Sequence, residues 1–169
     1  ETFQKQLHWI RKILEKYKDK KGIIHTTNYE ITEWLKTHLL DDRLLFHDTE
    51  DRHEILEKHL TSTKPTVLVS PSMMSGIDLK DDLARFQILL KVPYPNISSN
   101  KIKARQKTNS DWYAFKTIMD TLQTYGRAVR SETDYADMFI LDSNFSDLLK
   151  YNSEKFPTYF LDAIKILKI

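Results

Sequence analysis

The 169-residue chain has no cysteine and only three glycines. The first absence excludes a disulfide framework, a thiolate nucleophile and any zinc or iron–sulfur site built on cysteine. The second excludes a phosphate-cradling G-x-x-x-x-G-K-[ST] loop, because Gly22, Gly76 and Gly126 lie too far apart. By itself the chain is not expected to be a P-loop ATPase. No apolar run approaches the roughly 20 residues that cross a bilayer, and the N-terminus lacks the layout of a signal peptide, so no membrane partner is expected. Charge of one sign is also scarce in excess: 26 basic against 24 acidic residues leave +2, too little for binding polyanions by bulk charge. Any basic site must be local. A metal site is not expected either, since His53-Glu54 is followed by His59 rather than by a histidine at i+4. The adjacent carboxylates Asp41-Asp42, Glu50-Asp51 and Asp81-Asp82 read as turns and caps, which argues against a nuclease.

What is present alternates between two periodicities. Phe3, Leu7, Ile10, Leu14 and Tyr17, three and four apart, predict an amphipathic helix over 2–19. Gly22 introduces the β-like run Ile23-Ile24-His25-Thr26, then a helix carrying Ile31, Trp34, Leu35 and Leu39. Leu44-Leu45-Phe46 predicts a second strand, with Asp48-Thr49 capping a helix that buries Ile55, Leu56 and Leu60. Thr66 to Val69 predicts a buried strand, Ser70 to Asp78 a loop, and Phe86 to Val92 a strand stopped by Pro93-Tyr94-Pro95. The polar stretch Asn96 to Ser110 reads as a solvated loop or a phosphate-facing basic arm. Asp111 is the expected cap of a long helix with the stripe Trp112, Phe115, Ile118, Met119 and Leu122, followed by a strand over 138–142. Phe156, Phe160, Ile164 and Leu167 mark a final helix. The expected fold class is α/β, a parallel β-sheet with helices on both faces, and one domain over 1–169. The chain starts at Glu1 without methionine, so it is expected to be a piece of a longer protein.

In such sheets ligands bind beyond the carboxyl ends of the strands, which directs attention to three segments. These are Ile23 to Tyr29, Val69 to Leu79, and the octet Gln123-Thr124-Tyr125-Gly126-Arg127-Ala128-Val129-Arg130. The octet has the spacing Q-x-x-G-R-x-x-R. Two arginines three apart share a helix face, and their planar forks suit a terminal phosphate. Thr27, Asn28 and the amides that follow them can donate to a phosphate without reading a base, as can Ser70 and Ser72.

In this order the three segments resemble motifs IV, V and VI in the second RecA-like domain of superfamily 2 helicases of the XPD/DinG type. The resemblance runs from about residue 5 to about residue 150 and takes in Leu90 to Pro95 and Asp134 with Ile140-Leu141-Asp142. It implies a C-terminal motor domain of an ATP-dependent DNA helicase, inactive on its own. ATP and Mg2+ would be held mainly by an N-terminal RecA-like domain of the same chain, and the setting would be cytoplasmic, or nuclear in a eukaryote. It further implies catalytic roles for Arg127 and Arg130 as arginine fingers and for Gln123 near the γ-phosphate. Gly76, Asp78 and Gly126 would serve nucleotide binding, and Thr27, Asn28, Ser70 and Ser72 would grip single-stranded DNA. Two positions depart from the family pattern: Ser75 replaces an acidic residue, and Asp134-Tyr135-Ala136 replaces Asp-x-Gly. The rival expectation is a non-catalytic nucleic-acid or partner-binding module that retains the fold.

Overall fold

The computed structural model of the chain describes residues 2–72, 77–129 and 133–166. Five parallel strands form one sheet in the order β2-β3-β1-β4-β5. They are β1 (Gly22–His25), β2 (Leu44–Phe46), β3 (Val67–Ser70), β4 (Phe86–Leu89) and β5 (Asp137–Ile140). β1 lies at the centre, with Ile24 in register with Val69 on one side and Ile88 on the other. β1, β3 and β4 are buried at every position, as expected of parallel strands covered on both faces.

Strand alternation splits the apolar side chains between the two faces. On one face, Leu7, Ile10 and Leu14 of α1 (Thr2–Lys16) and Ile31 and Leu35 of α2 (Tyr29–His38) pack on Ile24, Val67, Val69, Phe86 and Ile88. Truncating one of these fully buried side chains, such as Ile10 or Leu35, to alanine removes about 2–5 kcal/mol of stability. On the other face, Ile23, Leu45 and Leu68 meet Ile77, Leu79 and Ala128, with Ile55, Leu56 and Leu60 of α3 (Arg52–Thr61) partly buried against them. A third cluster joins Val92 and Ile118 to Leu148, Phe156 and Phe160.

Four local expectations are corrected. Asn96 to Ser110 is not all loop: α4 (Asn100–Thr108) is helical, although Ile102 is its single half-buried residue. The cap of α5 (Ser110–Tyr125) is Asn109, whose Oδ1 accepts from the Trp112 amide, and not Asp111. The buried stripe of α5 is Thr117, Ile118, Thr121 and Thr124, while Phe115 and Met119 are exposed. The threonines can face the sheet because Thr117 and Thr121 return their hydroxyl protons to the carbonyls of Tyr113 and Thr117, and Thr124 returns its own to Asp120. The C-terminal region holds two helices, α6 (Asn144–Asn152) and α7 (Thr158–Ala163), separated at Pro157, which cannot continue a helix begun before it. Leu167 lies outside the described residues. Among the described residues no helix is long and apolar enough to cross a membrane.

Candidate nucleotide and nucleic-acid interface

At the carboxyl end of β1 the chain turns sharply into α2. Thr27 has φ 66°, the left-handed region, which costs a β-branched residue about 1–2 kcal/mol. Its hydroxyl donates to the Thr26 carbonyl at 2.6 Å, while the buried Thr26 hydroxyl pairs with that of Thr32 at 2.6 Å. Asn28 caps α2 by accepting from the Ile31 amide at 2.8 Å. The amides of Tyr29 and Glu30 open the helix without intrahelical acceptors. Thr27 and Asn28 are both half-buried, so this turn reaches solvent.

The ends of β2 and β3 are tied together by a residue that the sequence reading did not single out. His47 Nε2 pairs with the Ser70 hydroxyl at 2.7 Å, and its Nδ1 lies 2.6 Å from the Asp48 carbonyl. A Nδ1–H donating to that carbonyl leaves Nε2 to accept the serine proton. Ser70 is fully buried and also accepts from the Ser72 amide at 3.2 Å. Its hydroxyl therefore shapes the loop, and the half-buried Ser72 is the serine nearer to solvent.

Residues 77–79 meet the segment that follows α5. Leu79 donates its amide to the Arg127 carbonyl at 3.0 Å, and Arg127 Nη1 donates to the Ile77 carbonyl at 3.3 Å. Asp78, exposed between those two contacts, is thereby brought to the segment that carries Arg127. Gln123 is exposed on the last turn of α5. Gly126 closes that helix with φ −66°, and an added Cβ would come no nearer than 3.5 Å to the Leu122 carbonyl. Neither its backbone angle nor the described residues around it therefore require glycine. Gly76, Ser75 and Arg130 lie outside the described residues.

A polar line through the sheet joins these regions. Gln87, fully buried in β4, donates from Nε2 to the Tyr125 carbonyl at 2.8 Å, so its Oε1 faces His25 Nε2 at 3.2 Å as acceptor. That puts the proton on His25 Nε2 and leaves Nδ1 a bare acceptor, with no partner among the described residues. Burial drives the His25 pKa from 6.5 to about 4, the Gln87 bond opposing the shift and the nearby Arg127 charge adding to it. The ring is neutral at physiological pH. These links escape sequence reading because the partners are 23, 62 and 38 residues apart.

Beyond motif VI, the Asp134 carboxylate accepts from Arg85 at 2.8 Å and from the Asp81 amide at 3.2 Å. Arg85 also stacks on Tyr135, 4.3 Å from the ring centroid. This clamp secures the turn at Asp134-Tyr135.

The chain resembles known proteins over most of its length. It is 26% identical to the mouse ATP-dependent DNA helicase DDX11 over 126 residues, covering 65% of the chain and 14% of that protein. It is 28% identical to the XPD helicase subunit of general transcription and DNA repair factor IIH from Dictyostelium discoideum over 144 residues, covering 75% and 18%. The chain thus spans less than a fifth of either relative. Its fold superposes on an apo XPD structure with a TM-score of 0.70 at 18% identity, covering 88% of the chain and 33% of that one. On Xpd4 of S. tokodaii the TM-score is 0.61 at 24% identity, covering 85% and 30%. The family model described as the helicase C-terminal domain matches residues 10–162, and the chain belongs to that family.

Proposed function

We propose that this chain is the second motor domain of an ATP-dependent DNA helicase or translocase. Its own residues would act on ATP, which an N-terminal RecA-like domain of the same chain would hold with Mg2+. When bound, ATP supplies the free energy of γ-phosphate cleavage. This chain's part is to present positive charge and hydrogen-bond donors to the phosphates. Arg127 and Arg130 are the fingers, Gln123 orients water or the γ-phosphate, Gly126 allows close approach, and Gly76 and Asp78 link the nucleotide to the strand. Single-stranded DNA is gripped through its backbone by Thr27, Asn28, Ser72 and the first amides of α2, with Ser70 holding the loop. The setting is nuclear in a eukaryote and cytoplasmic otherwise.

The observation that carries this reading is the contact between two segments some 50 residues apart, the Arg127 guanidinium on the Ile77 carbonyl beside Asp78. The left-handed Thr27 at the strand end supports the second half, since such strain gathers at ligand-binding turns. In the full-length protein, Arg127→Ala and Arg130→Ala should each lower strand-stimulated ATP hydrolysis by about a thousandfold. Affinity for a single strand should stay within about twofold, because neither arginine is assigned to the strand-gripping turn. Unchanged turnover would remove the finger assignment and leave a binding module.

A further inference from the structure

Between Asp82 and Asp111 the sequence contains no acidic residue, although the whole chain has 24. The same interval holds Arg85, Lys91, Lys101, Lys103, Arg105 and Lys107, and the last four fall on the nine-residue helix α4. All four are exposed, and none forms an ion pair with a described residue. Lys101 and Arg105 share one side of the helix, and Lys103 and Lys107 share the other. Each pair is thus a like-charge i,i+4 neighbour that weakens the helix. A helix this short gains little by itself, and this one buries almost nothing that would offset the repulsion. Its anchor is a cation–π contact, with the Arg105 guanidinium 4.4 Å from the Trp112 ring centroid. That stack orients the fork and leaves its N–H edge available to an acceptor.

α4 also follows the strand that ends beside the proposed strand-gripping turn. The Leu90 amide donates to the His25 carbonyl, two residues before Thr27. From there the chain passes Tyr94, which stacks on Tyr113, and Pro95, whose carbonyl accepts from the Tyr113 hydroxyl, before entering α4. The chain thus leaves the carboxyl end of β4 beside the carboxyl end of β1, and the Tyr94 and Pro95 contacts with Tyr113 lead it into α4 along α5. A polyanion bound along α4 would relieve the repulsion within it.

We infer that α4 is a second backbone-binding element, on which Lys101, Lys103, Arg105 and Lys107 take up phosphates of the same single strand that the Thr27-Asn28 turn grips. The inference rests on the proposed function. It assigns phosphate recognition to a helix outside the three motifs and no base readout, because lysines at solvent-exposed positions neutralise phosphates irrespective of sequence.

The test uses the full-length protein, a fluorescein-labelled oligothymidine and a salt titration. Replacing the four cations with glutamine, which keeps helix propensity, should weaken binding at least tenfold at low salt. The slope of log K against log salt should fall by about 1.5–3, at roughly 0.7 per single-strand phosphate released. Should the fourfold variant not fold, the pair Lys103→Gln and Lys107→Gln removes no ion pair or ring contact with a described residue and should still lower the slope by about 1.4. An unchanged slope and affinity in a folded variant would overturn the inference. So would binding of polyglutamate that depends on these four residues while DNA binding does not, which would assign α4 to an acidic protein partner. Asn28→Ala in parallel separates the two readings: loss at Asn28 alone refutes α4 and keeps the turn, whereas loss at α4 alone keeps α4 and refutes the turn.

Discussion

Among the histidines buried at the two ends of the sheet, His59 at the amino end and His25 at the carboxyl end are treated differently. At the amino end, His59 Nε2 donates to the Leu83 carbonyl at 2.8 Å and Nδ1 accepts from the Thr66 hydroxyl at 2.8 Å, so both nitrogens are satisfied. At the carboxyl end, among the described residues, His25 has one hydrogen-bond partner and a bare Nδ1. Burial is the chief cause that lowers both rings to about 4. The amino end also carries a close fit, where Phe86 occupies the space a Gly22 side chain would need. The carboxyl end carries the left-handed Thr27. One end is arranged for stability, and the other retains an unmet polar atom and a strained backbone where the strand-gripping turn is proposed.

The largest effect expected of this contrast is on pH dependence. Both rings have pKa values below the unfolded 6.5, so between pH 6.5 and 4 the unfolded chain binds more protons than the folded one. Stability is full above about pH 6.5 and falls with pH, by about 2 kcal/mol per histidine between pH 7 and pH 5. Urea unfolding of the chain at the two pH values should show both losses, and His25→Gln should remove about half of the dependence. A flat profile would mean that neither ring is held neutral.

A smaller effect is expected at the amino end. Gly22→Ala would set a Cβ 2.4 Å from the Phe86 ring, which is itself stacked on Tyr17 and fully buried. The overpacking should cost about 1–3 kcal/mol, read as a lower urea midpoint with an unchanged slope. The smallest belongs to the carboxyl end and has the opposite sign. Thr27→Gly should stabilise the chain by roughly 0.5–1 kcal/mol, since relief of the left-handed strain exceeds the added backbone entropy of glycine. A destabilised Thr27→Gly would show that the turn stores no strain and would erase the contrast.

The fold was largely legible where physics writes a strong local signal. β1 and β3 read as short apolar runs bounded by Gly22 and Pro65, because a parallel strand covered on both faces has no polar side to show. α4 was illegible for the reverse reason: with Ile102 alone half-buried, it has no apolar stripe. The α5 stripe was misplaced because threonines that bond their own helix carbonyls can face a core, leaving Phe115 and Met119 outside. At the candidate site, motif order points to Thr27, Asn28, Asp78 and Arg127, whose roles are proposed. It does not point to His47 and Gln87, since a buried side chain's partner across a sheet leaves no trace in its own neighbourhood.

The strand order also bears on how the chain is made. β1 pairs with β3 and β4, and β2 pairs with β3, so no two strands can join until about residue 67 has been synthesised. During translation β1 and β2 wait unpaired, and β3 is the piece that admits both to the sheet. Closing such distant contacts is slow compared with forming local helices. The Thr27 turn is therefore synthesised before β3, yet it gains its final shape only after the chain has passed β3, when the Ser70 carbonyl arrives to accept the Thr26 amide.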